Sequence, residues 1–131
     1  MSSTKAGGAH NTFSEARDWQ GKTFEASLRQ ATMGYSIDGF IKQFSVPFPN
    51  HIKIDVDGIE GSIIEGGSST LKDSRLKSML VELDSGRKEH TGKIINILDN
   101  AGLPLLKKEH APMLDVGKYK NCYNYIFARH K

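Results

Sequence analysis

Five acidic side chains have the clearest capacity for chemistry in this chain, and they cluster where two apolar segments end. Asp55 and Asp57 close the first segment, Glu82 and Asp84 close the second, and Glu60 follows shortly after Asp57. Carboxylates at one site can bind a hard cation through oxygen, take a proton from a hydroxyl as a general base, or hydrogen-bond to a sugar or an amine. The spacing alone leaves these three functions open.

A structural role competes with these functions. Acidic residues are favoured in the first turn of a helix, because the backbone amides there carry partial positive charge. Glu60 holds that position if a helix follows Asp57, and Lys53 and Arg87 are nearby in the sequence as ion-pair partners. The acids would then cap a helix and form ion pairs, with no part in binding or catalysis.

The two apolar segments have the composition of β-strands. Residues 51–56 carry β-branched side chains at alternate positions, and residues 77–83 contain four apolar residues in their last five. The first strand stops at the turn dipeptide Asp57-Gly58, and from Ile59 the apolar spacing is that of a helix. The carboxyl ends of neighbouring parallel strands meet at one edge of a sheet, where ligands bind. We therefore expect the acids to share one rim.

The rest of the chain continues this alternation of strands and helices. Capping residues followed by apolar positions three or four apart predict helices at 36–44, around Leu71 after Ser68 or Ser69, and from Thr91 to Gly102. Apolar alternation and β-formers predict strands at 22–32, from 103–106 and at 123–129, with a polar loop at 107–118. Strands alternating with helices predict crossover connections and a mostly parallel sheet.

Composition narrows the class of protein. The 131 residues suffice for one domain, and 37% apolar with 25% charged residues is typical of a globular chain. A net charge of +3, with scattered lysines and arginines, gives no basis for a nucleic-acid partner. No apolar run is long enough to span a membrane. The single cysteine, Cys122, excludes an intrachain disulfide and favours a cytoplasmic setting, where we expect it to be a small packing residue.

A family resemblance rests on four ordered motifs. Pro49–Glu60 reads PNHIKIDVDGIE and closely resembles the hallmark of the FkbM family of S-adenosylmethionine-dependent methyltransferases, an IKIDVEG-x-E strand-turn-helix followed by an Ile/Leu-x-Gly-Ala helix end. Asp57 stands where that family usually has Glu, and Gly67 where it has Ala. The other three motifs are similar to the family's (T/S)-(L/I)-D-x-F segment, its (L/V)-x-E strand and its closing strand, and they are Tyr35–Ile41, Leu80–Leu83 and Asn124–Arg129.

The resemblance implies the C-terminal half of a Rossmann-like class I methyltransferase fold, with a mostly parallel sheet and an antiparallel last strand. It implies a partial methyltransferase domain at 21–131, preceded by a flexible segment at 1–20 that is rich in small and polar residues. Such a fold holds its cofactor with a glycine-rich turn after the first strand and an acid after the second. Neither matches here, since Gly7-Gly8 follows no apolar strand. We expect the chain to begin after the fold's third strand.

The resemblance also assigns roles to the acids. Asp55 would end the fourth strand beside the transferred methyl group, and Glu82 would end the fifth, with Asp57 and Glu60 supporting them. By analogy with related folds, Asp55 and Glu82 would be the ligands of a divalent cation. S-adenosylmethionine would be the cofactor, contacted by Asp55 among the residues that can be named.

The implied activity is methyl transfer to a hydroxyl group of a sugar, a glycolipid or another small metabolite. A base or a metal would remove or mask the hydroxyl proton. The alternative is a non-catalytic α/β interaction module, or an inactive fragment of a methyltransferase. A parallel sheet cut at its centre would expose a strand edge, so we also expect self-association through that edge.

Overall fold

The computed structural model describes Ala16, residues 22–26 and 29–110, Gly117 and residues 119–130. The predicted flexible segment 1–20 therefore lies outside the described residues, apart from Ala16. In chain order the helices and strands are α1 (Ile37–Phe44), β1 (His51–Ile54), α2 (Glu60–Glu65), α3 (Ser68–Lys72), β2 (Ser78–Asp84), α4 (Lys88–Asn100), β3 (Leu105–Glu109) and β4 (Cys122–Ala128). No helix in these ranges is long and apolar enough to cross a membrane.

The four strands form one mixed sheet in the order β1-β2-β4-β3. β1 pairs with β2 in parallel, whereas β4 is antiparallel to both β2 and β3. The first three strands therefore run in one direction and the last runs against them, as expected for the closing strand. Because β4 inserts between β2 and β3, β1–β2 is the one parallel pair among the described strands, although three of these strands share a direction.

β2 is the centre of the hydrophobic core. Its residues are alternately buried and half-buried, which gives it one face of Met79, Val81 and Leu83. Phe127 of β4 lies opposite Met79 in the register, and the two pack in a cluster with apolar side chains from α2, α3 and α4. The alternate side chains of β2, including Glu82, point to the other face of the sheet. Burial of one face thus fixes which face Glu82 occupies.

Arg129, directly after β4, makes hydrogen bonds to the ends of several helices and to the segment before β2. Its guanidinium donates hydrogen bonds to backbone carbonyls at the ends of α3 and α4 and at the approach to β2, namely those of Leu71, Asp73, Leu76, Ala101 and Gly102. Helix carboxyl ends leave carbonyls without partners inside the helix. One cation therefore satisfies groups that come from three separate segments.

Two predicted helix starts are wrong, because the residues expected to cap these helices do not cap them. α4 begins at Lys88, and the Thr91 hydroxyl donates to the carbonyl of Asp84 at 2.9 Å instead of capping a helix. α3 has Gly67 at its N-cap position, and Asp38 of α1 accepts the backbone N–H groups of its first turn. The contacts of Asp38 join residues that are distant in sequence. The contact of Thr91 involves a residue that lies inside α4.

Three strand predictions also need correction. In the described parts of 22–32 the only extended pairing is an isolated bridge at Thr23, so apolar alternation there does not make a strand. β1 ends at Ile54, two residues before the predicted end. β3 continues to Glu109, inside the predicted loop, because its polar residues pair with β4 while remaining exposed at an edge of the described sheet.

Candidate functional site

The predicted rim of acids exists at the carboxyl ends of β1 and β2. The parallel register sets Ile54 beside Val81, so Asp55 and Glu82 are the next residues along each strand. A cavity of about 240 Å³ opens at this rim. Its lining comes from the β1–α2 turn, the end of β2, the start of α4 and the approach to β4, and consists of Val56, Asp57, Gly58, Glu60, Glu82, Leu83, Asp84, Arg87, His90, Tyr119 and Cys122.

Asp55 and Glu82 share a proton. The hydrogen bond with Asp55 is the main cause that raises the pKa of Glu82 to about 7, followed by partial burial and by repulsion from the Asp55 charge. The same hydrogen bond lowers the pKa of Asp55, helped by Lys53, whose ammonium lies 2.8 Å from its Oδ2 atom. Below about pH 7 the pair therefore holds a neutral Glu82 carboxyl that donates to an ionised Asp55.

Glu60 is anchored on both carboxylate oxygens. It is 4% exposed, its Oε1 accepts the N–H of Gly58 at 2.9 Å, and its Oε2 lies 3.1 Å from Nε2 of His90. Gly58 has φ +94°, a left-handed conformation that residues with a Cβ rarely adopt. The carboxylate thus fixes the turn that carries Asp57 and links α2 to α4 across the cavity.

Asp84 shapes the approach to α4. Its Oδ1 accepts the N–H of Gly86 at 2.8 Å, and its backbone carbonyl accepts the N–H of Arg87 at 3.0 Å. With the Thr91 hydroxyl on the same carbonyl, the turn between β2 and α4 is held at both ends. This turn sets Arg87 at the mouth of the cavity.

Cys122 lines the cavity as a protonated thiol. Burial, and then the negative charges of Asp84, Glu82 and Glu60, raise its pKa to about 11. A thiol becomes a good nucleophile only as the thiolate. The environment therefore supports the expectation of a packing residue.

Sequence reasoning located the acids and named Lys53 and Arg87 as nearby cations, but it did not place His90 or Tyr119 beside them. Asp57, Glu60 and Glu82 line the cavity, whereas Asp55 contacts Glu82 from outside the lining. The structural alternative is also confirmed in part, since Lys53 pairs with Asp55 and Glu60 caps its own turn. Arg87, His90 and Tyr119 carry no motif, and a tertiary contact between α2 and α4 brings His90 to Glu60.

The two predicted metal ligands are adjacent, but they form a proton-sharing pair. Within the described ranges, no three His, Cys, Asp or Glu side chains come together in a way that could hold a metal ion. A divalent cation binds deprotonated carboxylates, so it would have to displace the proton of Glu82 and compete with the Lys53 ammonium for Asp55. The described residues bring the two predicted ligands together without a third ligand of these types.

The comparisons with known proteins agree with the motifs. No curated protein and no solved structure matches the chain. A family model described as the Methyltransferase FkbM domain matches residues 4–105, which is more than half of the sequence and includes the acids of the rim. The match begins well before the first motif of the resemblance and ends at the start of β3. The chain therefore belongs to the FkbM methyltransferase domain family.

Proposed function

We propose that this chain takes part in the transfer of a methyl group from S-adenosylmethionine to a hydroxyl group, with Glu82 as the proton acceptor. The observation that carries the proposal is the position of Glu82 in the cavity wall with a pKa raised to about 7. A general base works best when its pKa lies near the working pH. An ordinary glutamate, ionised far below neutrality, would be a much weaker base.

Each neighbour of Glu82 has a supporting part in this proposal. Asp55 raises the proton affinity of Glu82 from outside the cavity, and Lys53 keeps Asp55 ionised. Glu60 holds the Gly58 turn, so that Asp57 stays at the wall. We assign the proton transfer to Glu82 ahead of Asp55, because Glu82 lines the cavity and Asp55 does not.

The charge of the cavity wall fits the cofactor. When bound, S-adenosylmethionine supplies a methyl group activated by a positively charged sulfur. Asp57 and Asp84 give the wall a negative potential that favours a cation, and carboxylates also accept hydrogen bonds from ribose or acceptor hydroxyls. The cavity of about 240 Å³ lies below the range of about 300–1,000 Å³ that is usual for sites of small molecules. The described residues thus fit the reacting end of the complex.

Calorimetry with S-adenosylmethionine and S-adenosylhomocysteine tests the cofactor. We expect binding by the wild-type chain and by Glu82→Gln, because the substitution keeps the shape of the side chain. Because the cavity wall is negative, S-adenosylmethionine, which carries a sulfonium cation, should bind more tightly than S-adenosylhomocysteine, whose thioether is neutral. A lack of binding at millimolar cofactor would contradict an autonomous enzyme and favour the non-catalytic interaction module.

Transfer of labelled methyl groups to a panel of sugars and glycosides tests the base. Glu82→Gln should lower the rate by about a hundredfold or more, the usual contribution of a general base. The wild-type rate should rise with pH through about 7, because only ionised Glu82 can accept the proton. Glu109→Gln is the matched control, since Glu109 is an exposed glutamate on β3. Equal rates for both variants would remove Glu82 from the mechanism.

A further inference from the structure

We propose that a groove beside the cavity binds a phosphate group, and that the methyl acceptor is therefore a phosphorylated molecule. The groove measures about 430 Å³ and is lined by the first residues of α4, which are Arg87, Lys88, Glu89, His90 and Lys93. This inference rests on the proposed function, because it names the class of acceptor for the same site.

The groove has the charge that a phosphate needs. It presents three permanent cations and one acid, together with a histidine that becomes cationic when protonated. Arg87 and the two lysines offer N–H donors, and charge-assisted hydrogen bonds to phosphate are among the stronger ones in proteins. Arg87 supplies no side-chain cap to the first turn of α4, so the helix dipole adds to this positive potential.

The groove and the cavity adjoin each other, because Arg87 and His90 line both of them. One small molecule would span this shared boundary, with a hydroxyl at Glu82 and a phosphate among the cations. Binding of a remote group in this way positions the reacting hydroxyl, which contributes to rate.

The two spaces carry opposite charges, and this asymmetry fixes the orientation of the acceptor. Asp57 and Asp84 make the acidic part of the cavity wall negative, so it repels a phosphate and favours a cation. Arg87 and the two lysines make the outer groove attractive to a phosphate. A phosphorylated acceptor would enter with its hydroxyl end first, towards the acids.

Lys93 is able to exchange its present partner for a phosphate. Its Nζ atom lies 2.7 Å from Oε1 of Glu65, and both side chains are more than half exposed. Exposed ion pairs contribute little to stability, because water solvates both charges well. Glu65 therefore competes only weakly with a phosphate dianion for Lys93.

Titration with inorganic phosphate, followed by NMR of the backbone amides without any cofactor, tests the groove. Sodium chloride keeps the ionic strength constant. We expect saturable shifts at residues 88–93, and binding about five- to tenfold weaker in Lys88→Gln and in Lys93→Gln. Glu65→Gln should tighten binding, because it releases Lys93. Lys42→Gln, an exposed lysine on α1, is the matched control and should change nothing.

Two results of the titration with inorganic phosphate would overturn the inference. One is the absence of saturable shifts at tens of millimolar phosphate, and the other is an equal effect of the Lys42 and Lys93 substitutions. A second titration compares glucose 6-phosphate with glucose, and equal binding of the two would also contradict a phosphate site. All these measurements omit S-adenosylmethionine, so failure of the proposed function would leave phosphate binding intact, whereas failure of this inference would leave cofactor binding intact.

Discussion

The shared proton between Asp55 and Glu82 predicts an unusual dependence of stability on pH. Glu82 has an ordinary pKa of 4.5 that folding raises to about 7. A carboxyl of this kind stabilises the folded state fully below its ordinary pKa, and that contribution is lost as the pH rises through about 7. Most carboxyls in proteins behave in the opposite way, because folding lowers their pKa. Replacement of Glu82 by Gln should therefore stabilise the protein at high pH.

The size of the effect follows from the interval between the two pKa values. That interval sets an upper limit of about 3 kcal/mol on the loss of unfolding free energy. Because Glu82 is only partly buried, solvent screening reduces the expected loss to about 1–2 kcal/mol. Glutamine carries no charge and retains an N–H donor for Asp55. We expect Glu82→Gln to match the wild type near pH 4.5 and to exceed it by about 1–2 kcal/mol at pH 8.

Urea unfolding at intervals between pH 4.5 and pH 8, followed by circular dichroism, measures this difference. Contributions from groups that the two proteins share cancel in this comparison. Asp55→Asn should flatten the curve as well, because it removes the charge that repels ionised Glu82. Glu109→Gln should leave the curve parallel to that of the wild type. A constant difference between Glu82→Gln and the wild type across the window would refute the shared proton.

Three further predictions concern stability and use the same unfolding assay. Arg129→Met should lower the free energy of unfolding by about 2–4 kcal/mol, because it leaves the carbonyls at several helix ends without their charged donor. A loss below about 0.5 kcal/mol would show that water replaces the guanidinium. Asp38→Asn should lower the free energy of unfolding by about 1 kcal/mol at pH 7 and by less at pH 3. The reason is that hydrogen bonds from Thr70 and Ser69 outweigh burial and lower the pKa of Asp38. An equal loss at pH 7 and pH 3 would contradict this prediction. Ser45→Gly should raise the free energy of unfolding by about 0.5–1 kcal/mol, because Ser45 ends α1 in the left-handed conformation at φ +47°, which glycine adopts without strain. A loss of stability would argue against strain at this position.

The sequence predicted those parts of the fold that depend on local pattern. The side chain of Ser36 caps α1 by accepting a 3.0 Å hydrogen bond from the N–H of Gly39, as its position at the start of the predicted helix 36–44 indicated. The β-branched run after Asn50 and the apolar run before Asp84 both form strands, and their parallel pairing brings the acids together. Local periodicity was sufficient in these cases because burial of one face agrees with the intrinsic preference of the residues.

Features that depend on tertiary contacts could not be read from the sequence. Thr91 resembles a helix cap in isolation, but its hydroxyl is committed to the Asp84 carbonyl. The insertion of β4 between β2 and β3 is a matter of strand order, which local patterns do not encode. His90 joins the site through Glu60, which lies 30 residues earlier in the chain. Each case involves a partner that only the folded chain brings near.

The contacts of the acids, more than their positions in the sequence, determine which of them can accept a proton. Both carboxylate oxygens of Glu60 already have a partner, one in Gly58 and the other in His90, so Glu60 has a structural role. Asp55 has its charge compensated by Lys53 and lies outside the cavity lining. Glu82 remains as the acid that lines the cavity and has a raised pKa, because of its hydrogen bond with Asp55, its partial burial and repulsion from the charges of Asp55 and Asp57. The family motif thus supplies Asp55 and Asp57 as acids that raise the pKa of Glu82, and in our proposal this glutamate on the neighbouring strand is the reacting group.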